Sequence, residues 1–194
     1  MGFHMKRVSV LVAFAAACIS VLAQTAGIDS ALLAKANGGD TAAQVLVGEH
    51  YAATAADLHN VTQAGEAYRK AAEWYRKAAE KGDGSGEVHL AALYRDGGKG
   101  FPRDMAQAAE WYRKAAEQGD VTAQGTLGVL YSIGQGVPKN DVEAYYWLDL
   151  AAAVKGPNQE KYAANRQTVG THITVDELAE VEERAAKWLA AHPR

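Results

Sequence analysis

Histidine is the side chain best suited to transfer a proton or bind a metal ion near neutral pH. Five histidines follow the N-terminal apolar segment of this chain: His50, His59, His89, His172 and His192. No two of them have the helical spacing of a metal site such as His-Glu-x-x-His. The position of His50 on an apolar helix face predicts a core residue, whereas His89 lies near a predicted inner surface and could contact a ligand.

Other patterns that carry chemistry are missing as well. The sequence contains no nucleotide-binding loop, no Ser-x-x-Lys and no Gly-x-Ser-x-Gly motif. Gly134 and Gly136 are similar to part of a phosphate-binding loop, but they lie at the turn of a repeat, where glycine ends a helix. Acidic side chains have basic neighbours, which is typical of a solvated helix face. We therefore predict no catalytic residue, no metal and no cofactor, and a protein that is not an enzyme.

The N-terminus has the pattern of a secretion signal. Lys6 and Arg7 precede an apolar segment, residues 8–23, and the small side chain of Ala23 predicts cleavage after it. A retained membrane anchor is the alternative, although such a segment is short for a full span. Lipid attachment at Cys18 is less favoured, because the apolar run continues past it. We expect a bacterial protein that is periplasmic or secreted.

The overall charge argues against nucleic acid as a partner. The chain has 20 basic and 23 acidic residues and a net charge of −3, and loss of the signal would make it more negative. Cys18 is the only cysteine and would leave with the signal, so the mature chain would form no disulfide. The 194 residues, 48% of them hydrophobic, suffice for one domain with a continuous core.

A repeat positions these side chains. The block Trp74–Asp83 returns at Trp111–Asp120 and, in decayed form, at Trp147–Ala152, with spacings of 37 and 36 residues. Periods of this length are typical of stacked supersecondary units that bury one another's apolar faces. The aromatic and alanine positions of the block form the packing face. The Arg-Lys pairs between them predict a solvated outer face rather than a basic binding surface.

Each unit starts with a helix of constant length. Apolar residues recur in it at a spacing that places them on one face of the helix, which predicts the buried side. A small residue on that face, such as Gly48, lets the second helix approach closely. Asparagine or aspartate then caps that second helix. The aspartate that ends the preceding unit and the tyrosine 11 residues later recur at Asp40 and Tyr51, Asp83 and Tyr94, and Asp120 and Tyr131.

The first unit is longer because a heptad is duplicated in its second helix. Residues 67–73 are repeated almost letter for letter by residues 74–80. Seven residues turn a helix through nearly two full turns, so the buried stripe stays in phase. We predict one long helix from about Val61 to Lys81 rather than a loop.

The repeated residues resemble the Sel-one-like repeat family, a branch of the tetratricopeptide-like helical solenoids. The resemblance covers about Thr41 to Pro157 and implies an all-α fold, a right-handed α-solenoid of stacked antiparallel helix pairs. About three repeats and a C-terminal pair of capping helices are expected. The motifs that carry the resemblance in the third unit are Leu127-Gly128, Leu130-Tyr131, Gly134-Gln135-Gly136-Val137, Trp147 and Ala151-Ala152.

The resulting domain organisation has six parts. The third unit supports a C-terminal cap, because its outer positions, among them Tyr146 and Leu150, are less charged than their counterparts and need a cover. The parts are a signal peptide at 1–23, a partly helical N-terminal segment at 24–40, repeats at 41–83, 84–120 and 121–157, and capping helices at 158–194.

A candidate binding groove lies opposite the buried stripe of each first helix. In a right-handed solenoid the first helices line the concave side, and here the predicted floor is small and largely apolar. Such a groove suits an extended peptide or a partner helix. The alternative occupant is the chain's own N-terminal segment or last helix. The predicted lining residues are Val45, Glu49, Val88, His89, Ala92, Arg95, Val129 and Ser132.

The family resemblance implies a function as well as a fold. It implies a non-enzymatic scaffold or regulator in the bacterial envelope, a monomer that binds an unidentified protein or peptide and meets the membrane only if its signal is retained. Some cysteine-rich relatives are associated with penicillin binding and β-lactam hydrolysis, which gives an enzymatic alternative. That alternative is disfavoured, because the mature chain lacks cysteine. A purely structural subunit of an envelope complex is the third interpretation.

Overall fold

The computed structural model describes residues 27–193, so the predicted signal peptide lies outside the described residues. Within that range the chain forms nine α-helices, and its only β-type pairing is an isolated bridge between Gly98 and Phe101. None of these helices combines the length and apolarity needed to span a membrane. The helices are α1 (Ser30–Asn37), α2 (Thr41–Asp57), α3 (Val61–Ala79), α4 (Gly84–Asp96), α5 (Met105–Glu117), α6 (Val121–Ile133), α7 (Asp141–Ala152), α8 (Gln159–Gly170) and α9 (Val175–Ala191).

Side-chain caps determine where the helices of each pair begin. Asp40, Asp83 and Asp120 precede α2, α4 and α6, and each carboxylate accepts a hydrogen bond of 2.7 to 2.9 Å from the backbone N–H three residues later. Such a cap stabilises a helix by about 1 kcal/mol. The second helices α3, α5 and α7 start in the same way, after Asn60, Asp104 and Asn140.

The helices pack in pairs, α2 with α3, α4 with α5 and α6 with α7, and each pair packs on the next. Close approach within a pair depends on glycine. A Cβ added to Gly48 would lie 2.5 Å from the Tyr75 ring of α3, and one added to Gly128 would lie 2.7 Å from the Leu148 side chain of α7. Both distances are well below normal carbon contacts. The predicted all-α stack of helix pairs is confirmed.

The duplicated heptad forms part of one continuous helix, α3 (Val61–Ala79), as predicted. Its extra turns support the glycine loop of the following repeat. The Tyr68 and Phe101 rings lie 6.2 Å apart, and the Arg69 guanidinium donates to the Gly100 carbonyl at 3.2 Å. Gly65 packs so closely on Gly100 that a side chain there would collide with the loop backbone.

The Arg-Lys pairs of the repeated block lie on the outer face, and they also form contacts with aromatic side chains. Arg113 donates to the Tyr131 hydroxyl of the next repeat at 2.7 Å, and the same bond recurs one repeat earlier with Arg76 as donor. Lys114 lies 3.7 Å from the centroid of the Trp111 ring, a cation–π contact. The expectation of a merely solvated face was therefore incomplete, because arginine reaches across to the next tyrosine.

The last two helices cover α7, as its less charged outer positions predicted. Leu150 of α7 is 0% exposed. Arg166 of α8 forms an ion pair with Asp149, which stands where the earlier repeats carry arginine. On α9, Glu182 accepts a hydrogen bond of 2.9 Å from Tyr145 of α7. Both α8 and α9 pack chiefly against α7 rather than against one another.

Candidate functional site

The predicted groove corresponds to two clefts along the face formed by α2, α4 and α6. The first cleft has a volume of about 330 Å³ and the second about 370 Å³. Two consecutive residues at the end of helix α4 line different clefts, Asp96 the first and Arg95 the second. The two clefts therefore adjoin one another at the end of this helix. The first cleft is lined by residues that include Ala52, Tyr68, Tyr75, His89, Ala92 and Asp96. The second cleft is lined by residues that include Arg95, Arg103, Thr126, Val129, Ile133, Lys161 and Tyr162.

A polar contact between α2 and α4 lies at the rim of the first cleft. The His89 Nε2 atom is 3.0 Å from the Glu49 Oε1 atom, and its Nδ1 atom is 2.8 Å from the Ser85 carbonyl oxygen. Both neighbours are acceptors, so both hydrogen bonds form together only when the imidazole carries two protons. The His89 ring also lies 5.1 Å from the Tyr75 ring, which closes the floor beneath it.

The same residues have a superficial likeness to a serine–histidine–carboxylate triad. The Ser85 hydroxyl is 3.4 Å from His89 Nδ1, and Glu49 binds the other ring nitrogen. A general base needs a free lone pair on the nitrogen that faces the hydroxyl. The Ser85 carbonyl lies closer to Nδ1, at 2.8 Å, than the hydroxyl does, and 3.4 Å is long for a hydrogen bond from a hydroxyl. The geometry therefore favours contact of Nδ1 with the carbonyl rather than with the Ser85 hydroxyl.

Charge is distributed unevenly along the two clefts. At their junction, Arg95 donates two hydrogen bonds, of 2.7 and 2.8 Å, to the Asp96 carboxylate. This pair holds the pKa of Asp96 below its usual value. In the first cleft, burial and, to a smaller extent, the nearby Glu49 carboxylate raise the pKa of the Tyr75 phenol. Tyr75 is only 3% exposed, and it contributes a neutral phenol to the lining of the cleft.

Helix α8 forms one wall of the second cleft. Its Tyr162 ring lies directly against Gly125 of α6, where any Cβ would collide with it. Burial raises the pKa of Tyr162. Helix α8, rather than the last helix α9, therefore covers this stretch of α6, and no described residue of α9 lines either cleft. Beyond Tyr162 the cleft stays open between Arg103, Ile133 and Lys161.

The eight predicted groove residues differ in where they lie relative to the clefts. Glu49, His89, Ala92, Arg95 and Val129 lie at or beside the clefts. Val88 and Ser132 are half-buried on the same helices, and the Ser132 hydroxyl donates to the Val129 carbonyl at 2.8 Å.

The expectation for Val45 was wrong, because this residue is only 7% exposed and belongs to the hydrophobic core. Its neighbour Gln44 donates to the Ala36 carbonyl of α1 at 3.0 Å. Helix α1 thus packs on the part of α2 around Val45, which we expected to be exposed in the groove.

Other histidine expectations changed too. His50 is half-buried rather than a core residue, and its ring lies beside Gly27 at the start of the described chain. Within residues 27–193, no group of three histidine, cysteine, aspartate or glutamate side chains is placed to hold a metal ion. Sequence reasoning missed Arg103, Lys161 and Tyr162, because they lie outside the first helices and only the fold brings them to the groove.

Stacked helix pairs with a cleft-bearing face define a helical-repeat protein. The Sel1 repeat family matches the chain at residues 64–83, 85–120 and 122–153. Three Sel1 repeats are thus present in this chain, and Sel1-repeat proteins are generally protein-interaction scaffolds and typically non-catalytic. No significant match was found among curated proteins.

The solved structures that are similar to this chain include the following two. One is a protective antigen present in uropathogenic Escherichia coli strains that displays an SLR fold; it is 33% identical, with a TM-score of 0.66, over 82% of this chain and 32% of that chain. The other, a Sel1 repeat protein from Oxalobacter formigenes, is 34% identical, with a TM-score of 0.55, over 66% of this chain and 49% of that chain. This chain therefore spans less than half the length of either.

Proposed function

We propose that this chain is an exported protein-interaction scaffold of the bacterial envelope. It binds an extended peptide or a helix of a partner protein along the face formed by α2, α4 and α6. The observation that supports this most strongly is the pair of adjoining clefts on that face, whose floor includes Ala52, Ala92 and Val129. Small apolar floors of this kind admit a peptide backbone and leave the rim to select side chains.

Filling the clefts tests the binding face. Ala92→Trp and Thr126→Trp each add bulk to one cleft, because both residues line open space. Ala186→Trp is the matched control, since Ala186 is exposed on α9 and lies on neither cleft. Partner recovered from envelope extract should fall at least tenfold with the double variant and remain unchanged with the control. The wild-type protein, the double variant and the control should all have the same circular dichroism spectrum. If the three recover equal amounts of partner, this face is not the binding face.

Export has separate support and a separate test. The basic pair at Lys6 and Arg7 followed by an apolar segment supports targeting to the secretion machinery. Intact-mass analysis of the protein recovered from the periplasm should show a chain that begins at Gln24. A full-length mass in the cytoplasmic fraction would contradict export, and a full-length mass in the membrane fraction would indicate a retained anchor.

A further inference from the structure

The second cleft carries a positive charge that a general peptide groove does not require. Arg95, Arg103 and Lys161 line it, and none of its described lining residues is acidic. The Asp96 carboxylate neutralises one of these charges through its two hydrogen bonds with Arg95. In a chain with a net charge of −3, the lining of this cleft thus carries an excess of basic side chains.

The other two cations form no ion pair with a carboxylate in the described part of the chain, although Arg103 lies near enough to Asp96 to help lower the pKa of that carboxyl. Arg103 donates to the Gln135 side chain at 3.4 Å and contacts the Met105 sulfur at 3.0 Å, both neutral neighbours. Lys161 is exposed in the first turn of α8 and forms no ion pair among residues 27–193. Both charges can therefore pair with ligand carboxylates without first breaking an internal salt bridge.

Apolar surface lies beside these cations. Ile133, at the end of α6, is 56% exposed. Val129 and the Tyr162 ring continue this surface into the cleft. A ligand that complements the whole cleft therefore combines an apolar side chain with neighbouring carboxylates.

We propose that the second cleft binds an acidic segment of a partner protein. Its carboxylates pair with Arg103 and Lys161, and an adjacent apolar side chain packs on Ile133. The inference rests on the proposed function, because it specifies the chemistry of the peptide that the scaffold binds. A small anion would leave Ile133 exposed to water, and the acidic remainder of the chain would repel a nucleic acid.

Peptides that differ only in charge test this chemistry. Three short fluorescent peptides share the same leucines and carry glutamate, glutamine or lysine at the remaining positions, and their binding to the full chain is followed by anisotropy. Two exposed ion pairs predict about tenfold tighter binding of the glutamate peptide than of the glutamine peptide. The preference should weaken as salt is added.

Matched variants locate the effect. The double variant Arg103→Gln/Lys161→Gln should lose the tenfold preference. The control Lys35→Gln/Lys187→Gln removes the same charge from α1 and α9 and should retain it. If both double variants lose the preference for the glutamate peptide equally, the preference depends only on the net charge of the protein, and the inference is overturned.

The remaining outcomes separate this inference from the proposed function. Displacement of the glutamate peptide by inorganic phosphate at matched ionic strength would assign the site to small anions and overturn it. Equal binding of all three peptides would also overturn it, yet the groove would remain a peptide site if Ala92→Trp/Thr126→Trp abolished that binding. If no peptide binds, the inference fails, and partner recovery with the cleft-filling variants still decides the proposed function.

Discussion

Replacing Glu87 by glutamine should stabilise the protein. The first helix of each repeat carries a buried residue at the same position, and it is Gln44 in α2 and Gln124 in α6 but Glu87 in α4. Each glutamine amide donates to a carbonyl of the preceding helix, Ala36 at 3.0 Å and Ala116 at 3.1 Å.

The equivalent carbonyl of Ala79 accepts a hydrogen bond from Gly82 N–H at 2.9 Å, just as Ala36 and Ala116 accept one from Gly39 and Gly119. A carbonyl oxygen has a second lone pair, but a carboxylate at residue 87 has no proton to donate to it.

The size of the effect follows from burial and from this hydrogen bond. Glu87 is 3% exposed, and the one described hydrogen bond of its side chain comes from Gln118 Nε2 at 2.9 Å. Glu87→Gln keeps that acceptor, adds an amide donor for Ala79 and removes a buried charge. One net hydrogen bond is worth about 1 kcal/mol, and relief of the charge adds to it, so the gain at pH 7 should be about 1 to 2 kcal/mol. For a domain of this size that corresponds to a rise in Tm of roughly 2 to 8 °C.

The gain should depend on pH. Burial raises the pKa of Glu87, Asp83 and Glu117 raise it further, and Lys114 and the Gln118 hydrogen bond oppose the rise. A carboxyl with a raised pKa in the folded state favours folding when it is protonated. Its contribution is complete below the unfolded pKa and is lost as pH rises through the folded pKa. The advantage of the glutamine variant should thus be largest at neutral pH and shrink towards pH 4.

Urea unfolding followed by circular dichroism at both pH values measures this difference. Glu80→Gln, which removes an exposed carboxylate at the end of α3, should change stability little. The reciprocal change Gln124→Glu should destabilise the third repeat and make its stability fall as pH rises. A Glu87→Gln protein that is no more stable than wild type at pH 7, or whose gain is the same at both pH values, would refute the reasoning.

Two further changes test the packing. Gly48→Ala should cost about 1 to 3 kcal/mol, because its Cβ would lie 2.5 Å from the Tyr75 ring, whereas Gly156→Ala, with nothing within 4 Å, should be nearly neutral. Equal thermal melts for these two variants would contradict the close approach. Tyr131→Phe should cost about 1 kcal/mol by removing the 2.7 Å hydrogen bond from Arg113. An unchanged urea midpoint would show that this bond between repeats adds no stability.

The sequence predicts the helices well because their signals are local and repeated. The aspartates before α2, α4 and α6 cap them through side chains three residues from the bonded N–H, a contact that needs no long-range information. The length of α3 followed from counting, since a duplicated heptad keeps the buried stripe in phase. The small residue at position 48 was also predicted from the repeat, and the structure explains it, because the Tyr75 ring packs directly on Gly48.

The site was harder to predict, because it depends on elements outside the repeat. Helix α1 lies upstream of the first unit and packs on α2, so the burial of Val45 could not be inferred from the period. Tyr162 and Lys161 reach the groove from α8, whose sequence does not match the repeat. The bond from Arg113 to Tyr131 joins residues that are 18 positions apart and meet only when the repeats stack.

Site-specific photo-crosslinking tests most directly whether a partner protein binds along the face formed by α2, α4 and α6. A photoreactive phenylalanine is placed at Ala92 or Thr126 in the clefts, and at Glu73 or Glu110, which are exposed on the second helices, as controls. Irradiation of bacterial cells should join both cleft positions to the same partner protein and leave the control positions unlinked. Crosslinks that form at Glu73 or Glu110 but not in the clefts would contradict the account.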